Sequence, residues 1–100
     1  MKKMLALYKT PKDPEAFLAH YNDVHAPLAQ RVPGLLRIEV TQISRTLVGE
    51  QGNFLLAELY FDDETFRDAM KSPENANLGA DLANFADGLV TVMTGDVVGA

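Results

Sequence analysis

The sequence predicts an α+β sandwich, in which one antiparallel sheet carries its helices on a single face. Four short apolar segments bounded by turn residues have the composition of strands, and some alternate with polar residues. Two longer segments repeat apolar residues at helical spacing. The resulting order is βαββαβ, without a linker, repeat or low-complexity stretch, so we treat residues 1–100 as one domain.

The first predicted strand, Lys3 to Lys9, is followed by the breaker Thr10-Pro11. Asp13 can then cap a helix that has Pro14 in its first position. Pro33-Gly34 ends this helical region. Its apolar stripe comprises Phe17, Tyr21, Val24, His25, Leu28 and Val32.

A proline interrupts this helical region. Pro27 lacks a backbone N–H and disfavours helical geometry at Ala26, so we expect a kink or pause near His25. His20 lies at the edge of the apolar stripe, which predicts a surface or interface position for it. On a regular helix the two histidines, five residues apart, do not form an obvious pair.

Two strands follow, at Leu35 to Ser44 and at Phe54 to Phe61, joined by turn residues at 49–53. A second helix begins at Asp62 or Asp63 and runs to about Lys71.

Ser72-Pro73-Glu74 starts a new helical segment that closes at Asp87-Gly88. Leu89 to Val98 is the last strand. With this order, the short chain favours a ferredoxin-like fold, with both helical regions on one face of a four-stranded sheet.

Alternation divides the strand residues between two faces. Facing the helices we expect Leu5, Leu7, Leu36, Ile38, Val40, Leu55, Ala57, Leu59, Val90 and Val92. On the other face we expect Met4, Tyr8, Phe54, Leu56, Tyr60, Leu89 and Met93. Since no further element covers this second face, we predict a homodimer that packs sheet against sheet and can hold a ligand between the sheets.

Composition excludes several functional classes. The chain has no cysteine, which removes disulfides and thiolate metal sites and is typical of a reducing, cytoplasmic compartment. A net charge of −5 with scattered Lys and Arg argues against nucleic acid as a partner. No segment is long and apolar enough to predict a membrane span or a signal peptide.

Three stretches resemble the signature of the EthD family, named for ethyl tert-butyl ether degradation. They are Phe17-Leu18-Ala19-His20-Tyr21, Val24-His25-Ala26-Pro27-Leu28 and Val32-Pro33-Gly34-Leu35, and the likeness continues through Ala57-Glu58-Leu59-Tyr60-Phe61 and Ser72-Pro73-Glu74. The resemblance covers essentially the whole chain and implies a dimeric α+β barrel. That superfamily includes antibiotic-synthesis monooxygenases, muconolactone isomerases and polyketide cyclases, so the resemblance implies no single reaction.

Glu58 and His25 are the candidate catalytic residues. Alternation places Glu58 on the uncovered face of a central strand, and burial disfavours the charged form of a carboxyl group, which suits a general acid or base. A fixed salt bridge, to Arg37 or to a partner's cation, is the alternative for Glu58. His25 matches the histidine of the His-x-Pro-Leu motif and can shuttle a proton, or can serve structurally by bonding a carbonyl freed by Pro27.

Four further residues are candidates for lining a ligand pocket: Tyr8, Tyr21, Tyr60 and Met93. The tyrosines can donate hydrogen bonds in an otherwise apolar site, or simply fill an interface. The sequence has no metal-binding spacing, phosphate loop or dinucleotide fingerprint, so we expect no cofactor and no metal.

These observations favour a protein that binds a small apolar organic molecule, with cofactor-independent acid/base catalysis or an accessory role in degradation. One alternative is a non-catalytic dimer whose interior is filled by side chains. A cofactor-independent monooxygenase or a polyketide cyclase-like enzyme is another. In similar cyclases a catalytic histidine follows the proline of the second helical region by two residues, where this chain has Asn75, which disfavours a cyclase.

Overall fold

The computed structural model describes residues 1–99. Its four strands are β1 (Lys2–Lys9), β2 (Leu35–Gln42), β3 (Asn53–Phe61) and β4 (Val90–Asp96). They form one sheet in the order β2-β3-β1-β4, and every neighbouring pair is antiparallel. This is the ferredoxin-like arrangement that the element order predicts.

The connecting regions are helical. They contain α1 (Pro14–His20), α2 (Ala26–Gln30), α3 (Asp63–Met70) and α4 (Pro73–Phe85). The predicted helix starts are confirmed at two caps, because the side chains of Asp13 and Ser72 accept hydrogen bonds from backbone N–H groups of the first helical turns that follow them. No helix within residues 1–99 combines the length and apolar character that crossing a bilayer requires.

A π-helical turn, Tyr21–His25, joins α1 to α2. At its end the backbone N–H of Ala26 donates to the carbonyl oxygen of Tyr21, five residues earlier. Pro27 cannot donate a backbone hydrogen bond, and its ring would crowd the carbonyl one α-helical turn before it. The wider turn accommodates the proline, and single π-helical turns of this kind often occur at functional sites.

Strand β1 presents the opposite face from the one predicted. Its side chains Met4, Ala6 and Tyr8 point to the helices, since they stand opposite the core positions of β3 and are themselves in or against the core. Leu5 and Leu7 lie on the helix-free face. The prediction was wrong because both sets of alternating residues in β1 are apolar, so hydrophobicity alone does not decide between them.

The other strands follow the prediction more closely. Leu55, Ala57 and Leu59 of β3 face the helices, and their exposed fractions are 2%, 2% and 4%. Phe54 was expected on the helix-free face, but the register shifts next to it and its ring packs on Phe17 with centroids 5.7 Å apart. Leu36 also departs from the prediction. It falls at an irregularity in the pairing of β2 and is 50% exposed.

The helix-free face is apolar at its centre. Leu5 stands between Glu58 on one side and Met93 on the other, and Leu7 is opposite Leu56. Met93 is 41% exposed, and the three leucines are half-buried although no helix within residues 1–99 covers them. An exposed apolar patch of this kind is typical of surfaces that contact another molecule.

Candidate functional site

A cavity of about 180 Å³ lies between the sheet and the helices. The sheet contributes Met4, Ala6, Tyr8, Ala57, Leu59 and Val92, and the helical regions contribute Tyr21, His25, Ala29, Asn75, Leu78, Gly79 and Leu82. The cavity is formed by a single chain, on the opposite side of the sheet from the inter-sheet space that the sequence led us to expect.

Small residues on the two central strands create this space. Ala6 of β1 pairs with Ala57 of β3, so the middle of the sheet projects only methyl groups towards the helices. Gly79 of α4 and Val92 of the edge strand β4 are exposed to solvent although they line the cavity. The mouth of the cavity therefore lies between α4 and β4.

His25 is held at the cavity wall by two partners. Its Nδ1 lies 2.9 Å from Oδ2 of Asp81, and its Nε2 lies 3.5 Å from the hydroxyl of Tyr8. Because a carboxylate only accepts, a neutral His25 carries its proton on Nδ1 and directs the Nε2 lone pair towards the Tyr8 hydroxyl. An imidazole acceptor at the wall of a pocket, oriented by a carboxylate, is the arrangement of a general base.

Asp81 is the centre of a wider cluster. Its carboxylate, only 5% exposed, accepts from His25, from Nε2 of His20 at 3.0 Å and from the amide of Asn84 at 3.0 Å. Burial alone would raise the pKa of Asp81, but hydrogen bonds from Asn84 and the two histidines outweigh it and lower that pKa. Asp81 therefore remains a carboxylate at neutral pH.

Burial sets the protonation of the other groups in the cavity. It lowers the pKa of His25, against the opposing pull of Asp81, so the imidazole is neutral at pH 7. Burial raises the pKa of Tyr21 to about 12, and it raises the pKa of Tyr8 further. Both phenols keep their protons, and the site combines a neutral base with hydroxyl donors.

Aromatic rings fix this cluster in place. Phe85 lies with its ring centroid 4.9 Å from that of His25 and stacks on His20 at 4.7 Å. Tyr8 meets Phe17 and Tyr21 edge to face. The two imidazoles and the Tyr8 ring are thus packed on several sides.

The link between the two histidines was not expected from the sequence. On a regular α-helix the side chains of positions 20 and 25 point in different directions. The π-helical turn that follows His20 instead lets both side chains reach Asp81. The sequence does indicate that Asp81 is unusual, because this acidic residue lies between Leu78 and Leu82 of the apolar stripe of α4. An acidic residue on the buried face of a helix requires partners.

Glu58 lies on the other face of the sheet. Its carboxylate lies 2.5 Å from Nζ of Lys3 and accepts a 3.4 Å hydrogen bond from the hydroxyl of Tyr60. Arg37, the in-chain partner considered for Glu58, instead places its guanidinium 4.2 Å from the centre of the Tyr60 ring. The structure therefore does not bring Glu58 and His25 together, and it separates Tyr60 and Met93 from Tyr8 and Tyr21.

The acidic and histidine side chains also decide whether the described residues could hold a metal ion. Among residues 1–99, no group of three or more His, Asp and Glu side chains has the arrangement of a metal site. The histidine nitrogens nearest to Asp81 are within hydrogen-bonding distance of its carboxylate.

Comparison with known proteins identifies the family. The model of the EthD domain matches residues 9–89. The chain belongs to the EthD family. A crystal structure of an EthD family protein from Bacillus halodurans is 39% identical, superposes with a TM-score of 0.89, and is matched over 98% of this chain and 99% of that one. The resemblance seen in the sequence is thereby confirmed.

Other relatives of this EthD protein leave its activity open. An uncharacterised 11.0 kDa protein of Rhodococcus erythropolis, from the thcB-thcC intergenic region, is 36% identical over 97 residues, which are 96% of this chain and 94% of that protein.

Two more distant structures share the fold alone. A dimeric ferredoxin-like protein of unknown function from Thermobifida fusca is 13% identical with a TM-score of 0.64, over 96% of this chain and 90% of that one. SnoaB, a cofactor-independent oxygenase from Streptomyces nogalater, is 16% identical with a TM-score of 0.61, over 99% of this chain and 92% of that one.

Proposed function

We propose that this EthD protein binds a small, mainly apolar carbonyl compound in the cavity between sheet and helices, and that His25 transfers a proton to or from it. The observation that carries the proposal is the alignment of Asp81, His25 and Tyr8 at the wall of that cavity. The reaction class is cofactor-independent acid/base catalysis.

The size of the cavity limits the ligand. An engineered cavity of ~150 Å³ in another protein binds benzene, so about 180 Å³ suits a molecule of one ring or a similar number of atoms. Aliphatic side chains line most of the wall, which favours an apolar body. A family named for the degradation of ethyl tert-butyl ether is in keeping with a ligand of this kind and with an accessory role in degradation.

In this proposal His25, Tyr8 and Asp81 each have a different role in the proton transfer. Nε2 of His25 takes a proton from the carbon next to the carbonyl group, and the electron pair of that C–H bond moves to the carbonyl oxygen. The Tyr8 hydroxyl donates a hydrogen bond to this oxygen as charge develops there. Asp81 holds the imidazole in the required tautomer and stabilises the imidazolium. Return of the proton to carbon or oxygen restores the neutral His25.

The experiment uses cyclopentanone in deuterated water. Proton NMR follows exchange of the hydrogens next to its carbonyl group with wild type, His25→Gln and Tyr8→Phe. Loss of a general base lowers the rate by about 10²–10⁴-fold, and loss of the hydroxyl donor lowers it less. Glu58→Gln is the matched control, since it removes a carboxylate on the other face of the sheet and leaves the rate unchanged.

Two results would refute the catalytic proposal. One is a wild-type rate equal to that of buffer, and the other is a His25→Gln rate equal to that of wild type. Saturable binding of cyclopentanone without exchange would instead favour the binding protein that the sequence left open. A lower exchange rate in Glu58→Gln than in wild type would indicate that Glu58 takes part in catalysis.

The helix-free face is apolar at its centre, which suits it to contact a partner. We propose a homodimer that packs these faces together, as the related protein from Thermobifida fusca is described as dimeric. Tyr60, Met93 and the pair of Lys3 and Glu58 would then contact the second copy. Multi-angle light scattering at micromolar concentration tests this: twice the mass of the chain is expected for wild type, and a monomer for Leu5→Glu. A monomeric wild type would contradict the proposal.

A further inference from the structure

Tyr21 brings an unpaired hydroxyl group to the cavity. Its side chain lines the cavity and is only 3% exposed. Burial alone raises the pKa of this phenol, and no hydrogen bond contributes to the shift. Within residues 1–99, every side-chain nitrogen or oxygen atom that is fully buried has a hydrogen-bond partner. The hydroxyl of Tyr21 has no such partner there, so it is not fully buried, and the cavity is the space that it contacts.

The other polar side chains of the cavity wall already have partners. The hydroxyl of Tyr8 lies 3.5 Å from Nε2 of His25. The amide nitrogen of Asn75 lies 3.2 Å from the carbonyl oxygen of Met70. Tyr21 is therefore the donor that an entering ligand meets without first breaking a hydrogen bond of the protein.

A proton on Nε2 of His25 would free a second hydroxyl. Nε2 accepts a hydrogen bond from Tyr8 only while it is unprotonated, so uptake of a proton removes the acceptor of the Tyr8 hydroxyl. The rings of Tyr8 and Tyr21 are neighbours, with centroids 6.0 Å apart, and a charge on Tyr21 would raise the pKa of Tyr8. The cavity thus offers two neighbouring donors to a ligand that has given up a proton.

Building on the proposed proton transfer at His25, we infer that the ligand is a 1,3-dicarbonyl compound, with one oxygen atom bound by Tyr21 and the other by Tyr8. Nε2 of His25 takes a proton from the carbon between the two carbonyl groups. The electron pair of that C–H bond is shared by both oxygen atoms, and each of them accepts a hydrogen bond from a phenol. Return of the proton to carbon or oxygen completes an isomerisation between keto and enol forms, in which nothing is oxidised or reduced.

The strength of the base favours a second carbonyl group. Burial lowers the pKa of His25, so Nε2 is a weak base. A C–H group between two carbonyl groups is much more acidic than one beside a single carbonyl group, because its anion spreads the charge over two oxygen atoms. The smaller difference in pKa between this C–H group and His25 makes the proton transfer easier.

The test compares pentane-2,4-dione with pentan-2-one, which has the same carbon chain and one oxygen atom fewer. NMR titration at pH 7 measures the affinity of wild type for each compound. We expect wild type to bind the dione roughly fivefold to tenfold more tightly, since one more hydrogen bond forms. Because pentan-2-one is the more apolar of the two, a cavity that selects by apolar contact alone has the opposite preference.

Two variants assign this preference to one hydroxyl group. Tyr21→Phe keeps the ring and loses the preference for the dione. Tyr60→Phe is the matched control, because it removes the phenol hydroxyl that donates to Glu58 on the other face of the sheet, and it keeps the preference. A structural role for the Tyr21 hydroxyl predicts that Tyr21→Phe lowers the urea midpoint. We expect an unchanged or higher midpoint, since this hydroxyl has no partner within residues 1–99.

Three results would overturn the inference. They are binding of the dione by wild type that is absent or no tighter than that of pentan-2-one, a preference that persists in Tyr21→Phe, and a lower urea midpoint in Tyr21→Phe. The inference and the proposed function fail separately. Absence of cyclopentanone exchange in wild type refutes the proton transfer, whereas the ratio of the two affinities decides whether the ligand carries a second oxygen atom.

Discussion

Replacement of Asp81 by Asn tests the buried cluster most severely. The side chain keeps its size, but one acceptor oxygen becomes an NH₂ group that faces the N–H of a histidine. The largest loss falls on His25, which is 5% exposed and has its Nδ1 proton directed at Asp81. A buried hydrogen bond to a charged acceptor contributes ~1.5–3 kcal/mol. His20 and Asn84 are more exposed and regain water, so the total is about 2–3 kcal/mol.

The assay is urea unfolding at pH 7.5, followed by circular dichroism. For a chain of this length, the loss corresponds to a fall in Tm of roughly 10–20 °C. Asp87→Asn is the matched control, because Asp87 is an exposed carboxylate near the end of α4, and it changes the free energy of unfolding by less than ~0.5 kcal/mol. Equal stability of Asp81→Asn and wild type would show that the Asp81 carboxylate does not stabilise the buried cluster.

Three further predictions concern stability. Because burial lowers the pKa of His25, the unfolded chain binds more protons than the folded protein below pH 6.5, so the free energy of unfolding falls as pH drops from 6.5 towards the folded pKa. The urea midpoint should decline over that pH range in wild type and decline less in His25→Gln, and equal declines would contradict this prediction. Gly34→Ala lowers the midpoint by an equivalent of about 1–3 kcal/mol, since φ is +78° and a Cβ would lie 3.0 Å from Oγ1 of Thr65; an unchanged midpoint would exclude this strain. Gly79→Ala raises the free energy of unfolding by roughly 0.5–1 kcal/mol, because the glycine is inside α4 and its Cβ would meet no atom within 4 Å; a lower midpoint would show an unseen clash.

The fold could be predicted because the residues that start and end its helices act locally. Asp13 and Ser72 cap helices, and Pro33-Gly34 ends the first helical region, so the element order follows from neighbouring residues. The faces of β1 could not be predicted in the same way. Leu5 and Leu7 alternate with Met4 and Tyr8, and only pairing with β3 decides which set meets the helices.

The candidate site was predictable in part. His25, Tyr8 and Tyr21 were candidate site residues, and the structure gathers all three at one cavity. Their cavity lies on the side of the sheet opposite to the predicted one, because Met4, Ala6 and Tyr8 of β1 face the helices instead of Leu5 and Leu7. The link from His20 to His25 depends on a π-helical turn and on Asp81, which is 56 residues from His25 in the chain. Helical periodicity describes neither a change of helix type nor a contact of that range.

Our proposal requires a small apolar carbonyl compound to occupy the cavity beside His25. NMR titration with cyclopentanone measures this directly, by the shift of the His25 imidazole signals in wild type and in Ala57→Leu, whose larger side chain fills the space. We predict saturable shifts in wild type and none in Ala57→Leu, with a urea midpoint for the variant at or above that of wild type. Equal shifts in both proteins, or no shift in wild type, would contradict the account.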